Sequence, residues 1–520
     1  MSTSDPNPAQ NFIEPLADSV KDVEVIVVGA GFGGLGMATQ LRRRGHASFV
    51  LLERADDVGG AWWHNQYPGA ACDVPSHLYS FSFRKNPEWS HVYSPQQEIL
   101  SYLRETARDE QLTPHIQFGA EVVDARWDEA DSRWTVRTRR GAYRGKVLIN
   151  AAGHLSDPKP PAIQGLDTFS GHLFHSAAWN HDVDLEGKRI GVIGTGASAI
   201  QIVPELAKVA GHLTVFQRSA PYIIPRNDRP YTEIEKTTFR RLPERIDALR
   251  AEIFWASEAR FVERQAVPAV LNEVARVALD HIHAQVDDPD LRCKLTPDYQ
   301  FGCKRILRSD DYYPTLCRSN VTLETSRVAR IEGNTVTTVA GAQHELDVLV
   351  LATGFEASDL PIAHRITGKD DQLLADQWET GMQAYATTAV HGFPNLFIMN
   401  GPHTGTGHNS AIYVIESQIS YILGALEYMN TENITAMEVS AEAEADYVQR
   451  IEDRSQGTVW LTGGCQSWYL DPRNGRLILW PDFTHTFREE NGTFDPAPYL
   501  VERTELRSPV PAGPAHREEH

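Results

Sequence analysis

Two glycine-rich turns carry the first chemistry legible in this chain. Gly29-x-Gly31-x-x-Gly34 follows an apolar run, and Glu53 closes the next apolar run. Small residues at that spacing let a pyrophosphate approach a helix N-terminus, while the carboxylate accepts a ribose hydroxyl. Gly194-x-Gly196-x-x-Ala199 repeats the pattern, with Thr195 and Ser198 inside the turn. Where the first unit has Glu53, the second has Gln217-Arg218-Ser219. Loss of the acid and gain of Arg218 suit a ribose carrying a 2′-phosphate; the alternative is a surface arginine after a strand. The first turn is therefore assigned to FAD and the second to NADPH, so electrons are expected to pass from NADPH to FAD.

Between the turns, residues 169–180 read FSGHLFHSAAWN. Phe169, Gly171, His175 and Trp179 fit F-x-G-x-x-x-H-x-x-x-W, the fingerprint of the Baeyer–Villiger monooxygenases. Residues 59–73, GGAWWHNQYPGAACD, match a second pattern of that family, [AG]-G-x-W-x-x-x-x-[FY]-P-[GM]-x-x-x-D, at every specified position, Gly60, Trp62 and Asp73 included. GCKRILRSDDYYPTL resembles the segment with the family's active-site Lys-Arg pair, here Lys304 and Arg305. GGCQSWYL is similar to the loop whose tryptophan, here Trp468, contacts the nicotinamide cofactor. The likeness runs from about residue 23 to residue 481. One position departs: the fingerprint usually closes on Pro or Asp, and here it closes on Asn180.

The resemblance implies insertion of one oxygen atom of O2 beside a ketone carbonyl, giving an ester or lactone through a C4a-peroxyflavin. An anion in a dry pocket needs a fixed cation, and a guanidinium stays charged. The family pattern gives that role to Arg305 and sets Asp73 to hold it in register. His175 and Trp179 are expected to anchor the connector between nucleotide domains while those domains shift. Spacing of four also suits one face of a helix carrying a merely packed histidine. Lys304 is expected either to reach the 2′-phosphate with Arg218 or to stand as a solvated surface lysine. A nitrogen- or sulfur-oxidising flavin monooxygenase, and an NADPH-binding redox sensor without turnover, are the competing readings.

The elements that must position these residues follow from hydrophobic pattern. Each turn lies in a strand, glycine turn, helix, strand series. The fold expected is α/β, with two Rossmann-like dinucleotide-binding domains and a helical insertion. The FAD-binding domain is expected over 20–155 and 385–505, the NADPH-binding domain over 156–227 and 301–384, and the insertion over 228–300. A disordered tail is expected over 506–520. The runs VLINAAGH and VLVLATGF resemble chain crossings between nucleotide domains. At 520 residues the chain is long enough for about three cores.

Net charge −20 repels nucleic acid and anionic lipid, so phosphate binding must be local. The five scattered cysteines form no C-x-x-C pair, which argues against a disulfide framework, a zinc site or a dithiol redox centre. No metal is expected. The first twenty residues read as a flexible arm without a leader pattern, and no apolar run reaches the roughly 20 residues of a membrane span. A cytoplasmic monomer or weak homo-oligomer acting on a small ketone and O2 is the resulting expectation.

Overall fold

A computed structural model of the chain describes residues 20–503, so the expected arm and the tail at 506–520 lie outside the described residues. Strand Lys21–Val28 leads through the first glycine turn into helix Phe32–Arg43, and strand Phe49–Leu52 returns parallel beside it. Strand Gly141–Asn150 pairs on the other flank, also parallel. Side chains alternate between two cores: Val25, Val27, Leu51, Val147 and Ile149 enter one, and Ile26, Val28, Val50, Leu52 and Leu148 enter the other. Strands buried on both faces read as unbroken apolar runs, which is the pattern of residues 25–28 and 49–52. Helix Ala411–Thr431 lays Ile415, Ile419 and Ile422 over the first core.

The second module is a five-stranded parallel sheet in the order Val321–Glu324, His212–Phe216, Arg189–Ile193, Val348–Leu351, His172–His175. Helix Ala197–Val209 packs Ile200, Ile202, Val203 and Leu206 into its core. The two modules share one construction. Gly29 and Gly194 have φ of +96° and +119°, and a Cβ on them would fall 2.7 Å and 2.3 Å from the carbonyl oxygens of Ala151 and Ala352. Those alanines open the two crossings. A side chain at either glycine would meet backbone and strain as well, so the turn demands glycine twice.

The crossings also bond to each other. Lys159 N–H donates to the Gly354 carbonyl at 2.9 Å, and Glu356 N–H donates to the Asp157 carbonyl at 3.0 Å. The Thr353 hydroxyl donates to the Lys159 carbonyl at 2.7 Å. Within residues 228–300 lie helices Glu233–Arg241, Glu244–Glu258, Pro268–Gln285 and Pro289–Leu295.

One expected boundary is corrected. The apolar pattern groups residues 301–384 with the second module, yet the chain rejoins the first sheet soon after Phe355. Strand Ile366–Thr367 pairs with Val122–Asp128, and Leu360, Ile366, Leu374, Trp378 and Met382 fill the core beside it. The strand that returns is two residues long, too short to leave a period in the sequence.

Candidate active site

Both glycine turns open onto helix N-termini that no side chain caps and whose first turns hold no acid. Free amides of that kind are what a phosphate needs. At the first turn, buried Glu53 accepts hydrogen bonds from Ala30 N–H at 2.7 Å and Ala55 N–H at 2.8 Å, so the carboxylate braces the turn it follows. Gly34 stands on the first helix turn against Gly29. Gly60, from the second family pattern, has its Cα face against Gly31: a Cβ there would come within 2.9 Å of the Gly31 Cα. Glycine at both positions is what lets the two backbones approach so closely. Trp62 donates its indole N–H to the Tyr79 hydroxyl at 3.2 Å on the same wall.

At the second turn Gly196 is open and Ala199 is buried in the module core, while the Thr195 hydroxyl donates to the Ser219 carbonyl at 3.0 Å. Ser198 lies beside the Tyr67 hydroxyl. Arg218 is exposed at the end of its strand. Lys304 arrives from a segment far along the chain and donates to the Ser219 hydroxyl at 2.9 Å, with its ammonium 4.5 Å from the Tyr299 ring centre. Burial, and then the Arg218 charge, push the Lys304 ammonium below its ordinary value. Two cations held together at a helix N-terminus fit a phosphate monoester.

The next residue meets a different partner. Arg305 donates from both Nε and a terminal nitrogen to one Asp73 oxygen, at 3.1 and 2.7 Å. The loop carrying Asp73 is pinned to the second module on its way: Tyr67 donates to Gln201 Oε1 at 2.9 Å, and Gln201 donates to the Ala71 carbonyl at 3.0 Å. Burial alone pushes the Asp73 carboxyl up, but the Arg305 charge and hydrogen bond outweigh it and hold the group below its ordinary value. The Asp73 charge, with the Tyr469 hydroxyl alongside, raises Arg305 further above neutrality. A third of the Arg305 side chain stays open, so this permanent cation can still face a ligand.

Trp468 precedes Tyr469 and is 45% exposed, with its ring 6.4 Å from that of His154. A small cleft lies between them, lined by His154, Asn400, Thr404, Trp468 and Leu479.

The fingerprint residues do not share a helix. His172–His175 is an edge strand, and a single 3-10 turn, Ser176–Ala178, follows. His175 is buried, accepts from Ala177 N–H at 3.1 Å through Nδ1, and meets the Phe355 ring edge-on at the second crossing. Burial holds its imidazole below the ordinary value. Trp179 packs edge-on against Phe174, and Gly171 lies between Phe169 and the Asp347 carbonyl. Asn180 accepts from Asp182 N–H at 3.0 Å, the local turn bond an aspartate makes.

The cysteine reading is corrected. Cys303 and Cys465 form a disulfide across 162 residues of sequence. Spacing rules see only neighbours, and here the fold joins two distant segments. Two further residues are not singled out by the sequence: Tyr469, inside the GGCQSWYL stretch, and Glu258, which carries no motif. Glu258, nearly fully buried at the end of helix Glu244–Glu258, accepts from Asn409 at 2.7 Å, His408 at 3.1 Å and His485 at 2.9 Å.

Two glycine-turn modules, one braced by an acid and one flanked by cations, define a pyridine-nucleotide oxidoreductase. The family model described as pyridine nucleotide-disulphide oxidoreductase matches residues 26–284. A Baeyer–Villiger monooxygenase of Streptomyces coelicolor is 45% identical, over 94% of this chain and 94% of its own. One from Pseudomonas aeruginosa is 42% identical, over 95% and 94%. Among solved structures, a closed cyclohexanone monooxygenase superposes with a TM-score of 0.84 at 29% identity, covering 94% of this chain and all of its own. A steroid monooxygenase bound to NADP gives 0.80 at 31%, covering 93% of this chain and all of its own. The chain belongs to the Baeyer–Villiger monooxygenase family.

Proposed function

We propose that the chain is an FAD-containing, NADPH-dependent monooxygenase that inserts one oxygen atom of O2 next to a ketone carbonyl to give an ester or lactone. The observation that carries the reading is the Arg305–Asp73 pair, a cation fixed by a carboxylate of the other module and left partly open. FAD, bound and reduced by NADPH, supplies the oxygen-transferring chemistry; the chain's residues supply position and charge.

Gly29, Gly31, Gly34, Gly60 and Trp62 wall the FAD site, and Glu53 takes the ribose with the acceptor capacity its two amide bonds leave. Gly194, Thr195, Gly196, Ser198 and Ala199 would hold NADPH at the second turn, where Arg218 and Lys304 would take the 2′-phosphate and Trp468 would contact the nicotinamide. Arg305 stabilises negative charge as it develops on oxygen, a role that a preorganised donor in a dry site fills at no reorganisation cost. Asp73 is a positioning residue that fixes the guanidinium. Phe169, Gly171, His175 and Trp179 hold the edge strand against the second crossing. We assign the protein to the cytoplasm as a monomer or weak homo-oligomer, its net charge of −20 opposing self-association; cell fractionation and sedimentation test this.

Purified protein loaded with FAD and given NADPH should consume oxygen and convert members of a panel of cyclic, aryl and long-chain ketones to esters, in step with NADPH. Oxygen uptake that no ketone alters, with no ester formed, overturns the assignment.

A further inference from the structure

The disulfide joins the segment that carries Trp468 to the segment that carries Lys304 and Arg305. Cys303 directly precedes Lys304 and Arg305 and is fully buried among Val459, Trp460, Tyr469 and Leu477. Cys465 lies three residues before Trp468 and is only half-buried, between exposed Gly464 and Gln466. The segments touch closely: a Cβ on Gly463 would fall 2.7 Å from the Cys303 Cβ. Polar attachment is sparse. Gln300 N–H donates to the Gly463 carbonyl at 3.3 Å, and among the described residues no hydrogen bond ties residues 464–468 to 300–305. The sulfur bridge thus ties the Trp468 loop covalently to the Arg305 strip, next to the contact of the Tyr469 hydroxyl with Arg305.

We propose that Cys303 and Cys465 are a reversible redox modification site that holds the Trp468 loop on the Arg305 strip when oxidised and releases it when reduced. Closing takes two thiols and one hydrogen peroxide: the S–S bond forms, the O–O bond breaks, the sulfurs lose two electrons and two protons, and two waters leave. Opening takes an external dithiol. Its thiolate attacks the accessible Cys465 sulfur and expels Cys303 as thiolate; its second thiol then resolves the mixed disulfide, leaving two protein thiols and an oxidised dithiol. A bridge with one partly exposed cysteine, here Cys465, is of the labile kind. In a reducing compartment such bridges are typically transient and redox-responsive.

The link between loop position and coenzyme rests on Trp468 facing the nicotinamide, so the test reads the bridge and that link separately. FAD-loaded protein is reduced with dithiothreitol, freed of it, and reoxidised with hydrogen peroxide. Peptide mapping without reductant should find the Cys303–Cys465 cross-link opened and then restored, with Cys72, Cys293 and Cys317 outside it. Hydrogen exchange over residues 463–470 should quicken about tenfold in the reduced form, and the KM for NADPH should rise several-fold. Cys465→Ser, which leaves buried Cys303 in place, should behave as the reduced form whatever the treatment. A cross-link that does not return with peroxide, or loop exchange equal in both states, overturns the switch. A changed loop with an unchanged KM for NADPH overturns its coupling to coenzyme binding while leaving the monooxygenase reading intact.

Discussion

At the scale of single residues, Lys304 and Arg305 are adjacent in sequence but serve different partners. Lys304 bonds Ser219 beside Arg218, and Arg305 bonds Asp73 of the other module. Arg305→Ala should still bind FAD and bleach it with NADPH, while ester formation falls by about 10²-fold, the scale of removing one preorganised oxyanion stabiliser. Product analysis beside rapid-mixing reduction checks this; ester formation near the wild-type rate removes Arg305 from the chemistry. Asp73→Asn should show a milder form of the same defect. Arg218→Ala should weaken NADPH by about 1.5–3 kcal/mol, the worth of one charge-assisted hydrogen bond to the phosphate, and leave NADH unchanged. Coenzyme titrations that weaken both alike would falsify the 2′-phosphate assignment. The glycine turns were readable because close backbone approach leaves few residue types that can serve; the proposed roles of Glu53 and Arg218 rest on charge type alone. Tyr469 was not readable: nothing in the spacing of a buried tyrosine tells which arginine it will stand beside.

At the scale of elements, Glu258 acts as a helix cap borrowed from another helix. Its carboxylate accepts from the Thr484 and His485 amides at 3.1 and 3.0 Å, the opening donors of helix Thr484–Asn491. Burial pushes this carboxyl up, but its hydrogen bonds from His408, His485 and Asn409 outweigh that and hold it well below the ordinary range. A depressed folded-state value contributes stability that is present above the unfolded value near 4.5 and vanishes as pH falls. Glu258→Gln should therefore cost on the order of 3 kcal/mol at pH 7 and less in acid, read from denaturant midpoints at several pH values; an equal loss at every pH refutes it. Glu444 has the opposite sign. Burial raises its carboxyl to about 7, so the fold loses stability between the unfolded value and that pH. Glu444→Gln should gain up to about 3 kcal/mol at pH 8 and nothing at pH 4. The strands, helices and insertion were legible because both modules repeat one apolar series. The return of residues 360–384 to the first sheet was not, since a two-residue strand and scattered core residues have no period.

At the scale of the whole molecule, the fingerprint histidine belongs to the joint between modules, buried against Phe355. His175→Ala should keep FAD and lose turnover, with the pH optimum of the remaining activity unmoved; a displaced pH–rate limb shows instead that His175 titrates in the reaction. The joint itself was half-visible, because both crossings stand out as apolar runs ending in glycine, whereas their mutual bonding and the sulfur bridge depend on pairings that no local pattern records. Lys159, Gly354, Asp157 and Glu356 make the two crossings a single bonded pair. Two pins set side by side define one axis. Turning about that axis bends a few torsions, two of them at Gly153 and Gly354, both already at positive φ, and parts the Tyr67–Gln201 and Arg305–Asp73 contacts, whereas sliding one module along the other also has to break the ladder between the pins. A door hung on those pins leaves groups on the pin line, His175 and Phe355 among them, nearly still, so distance labels placed far from it should report one correlated arc; uncorrelated distance changes overturn the hinge.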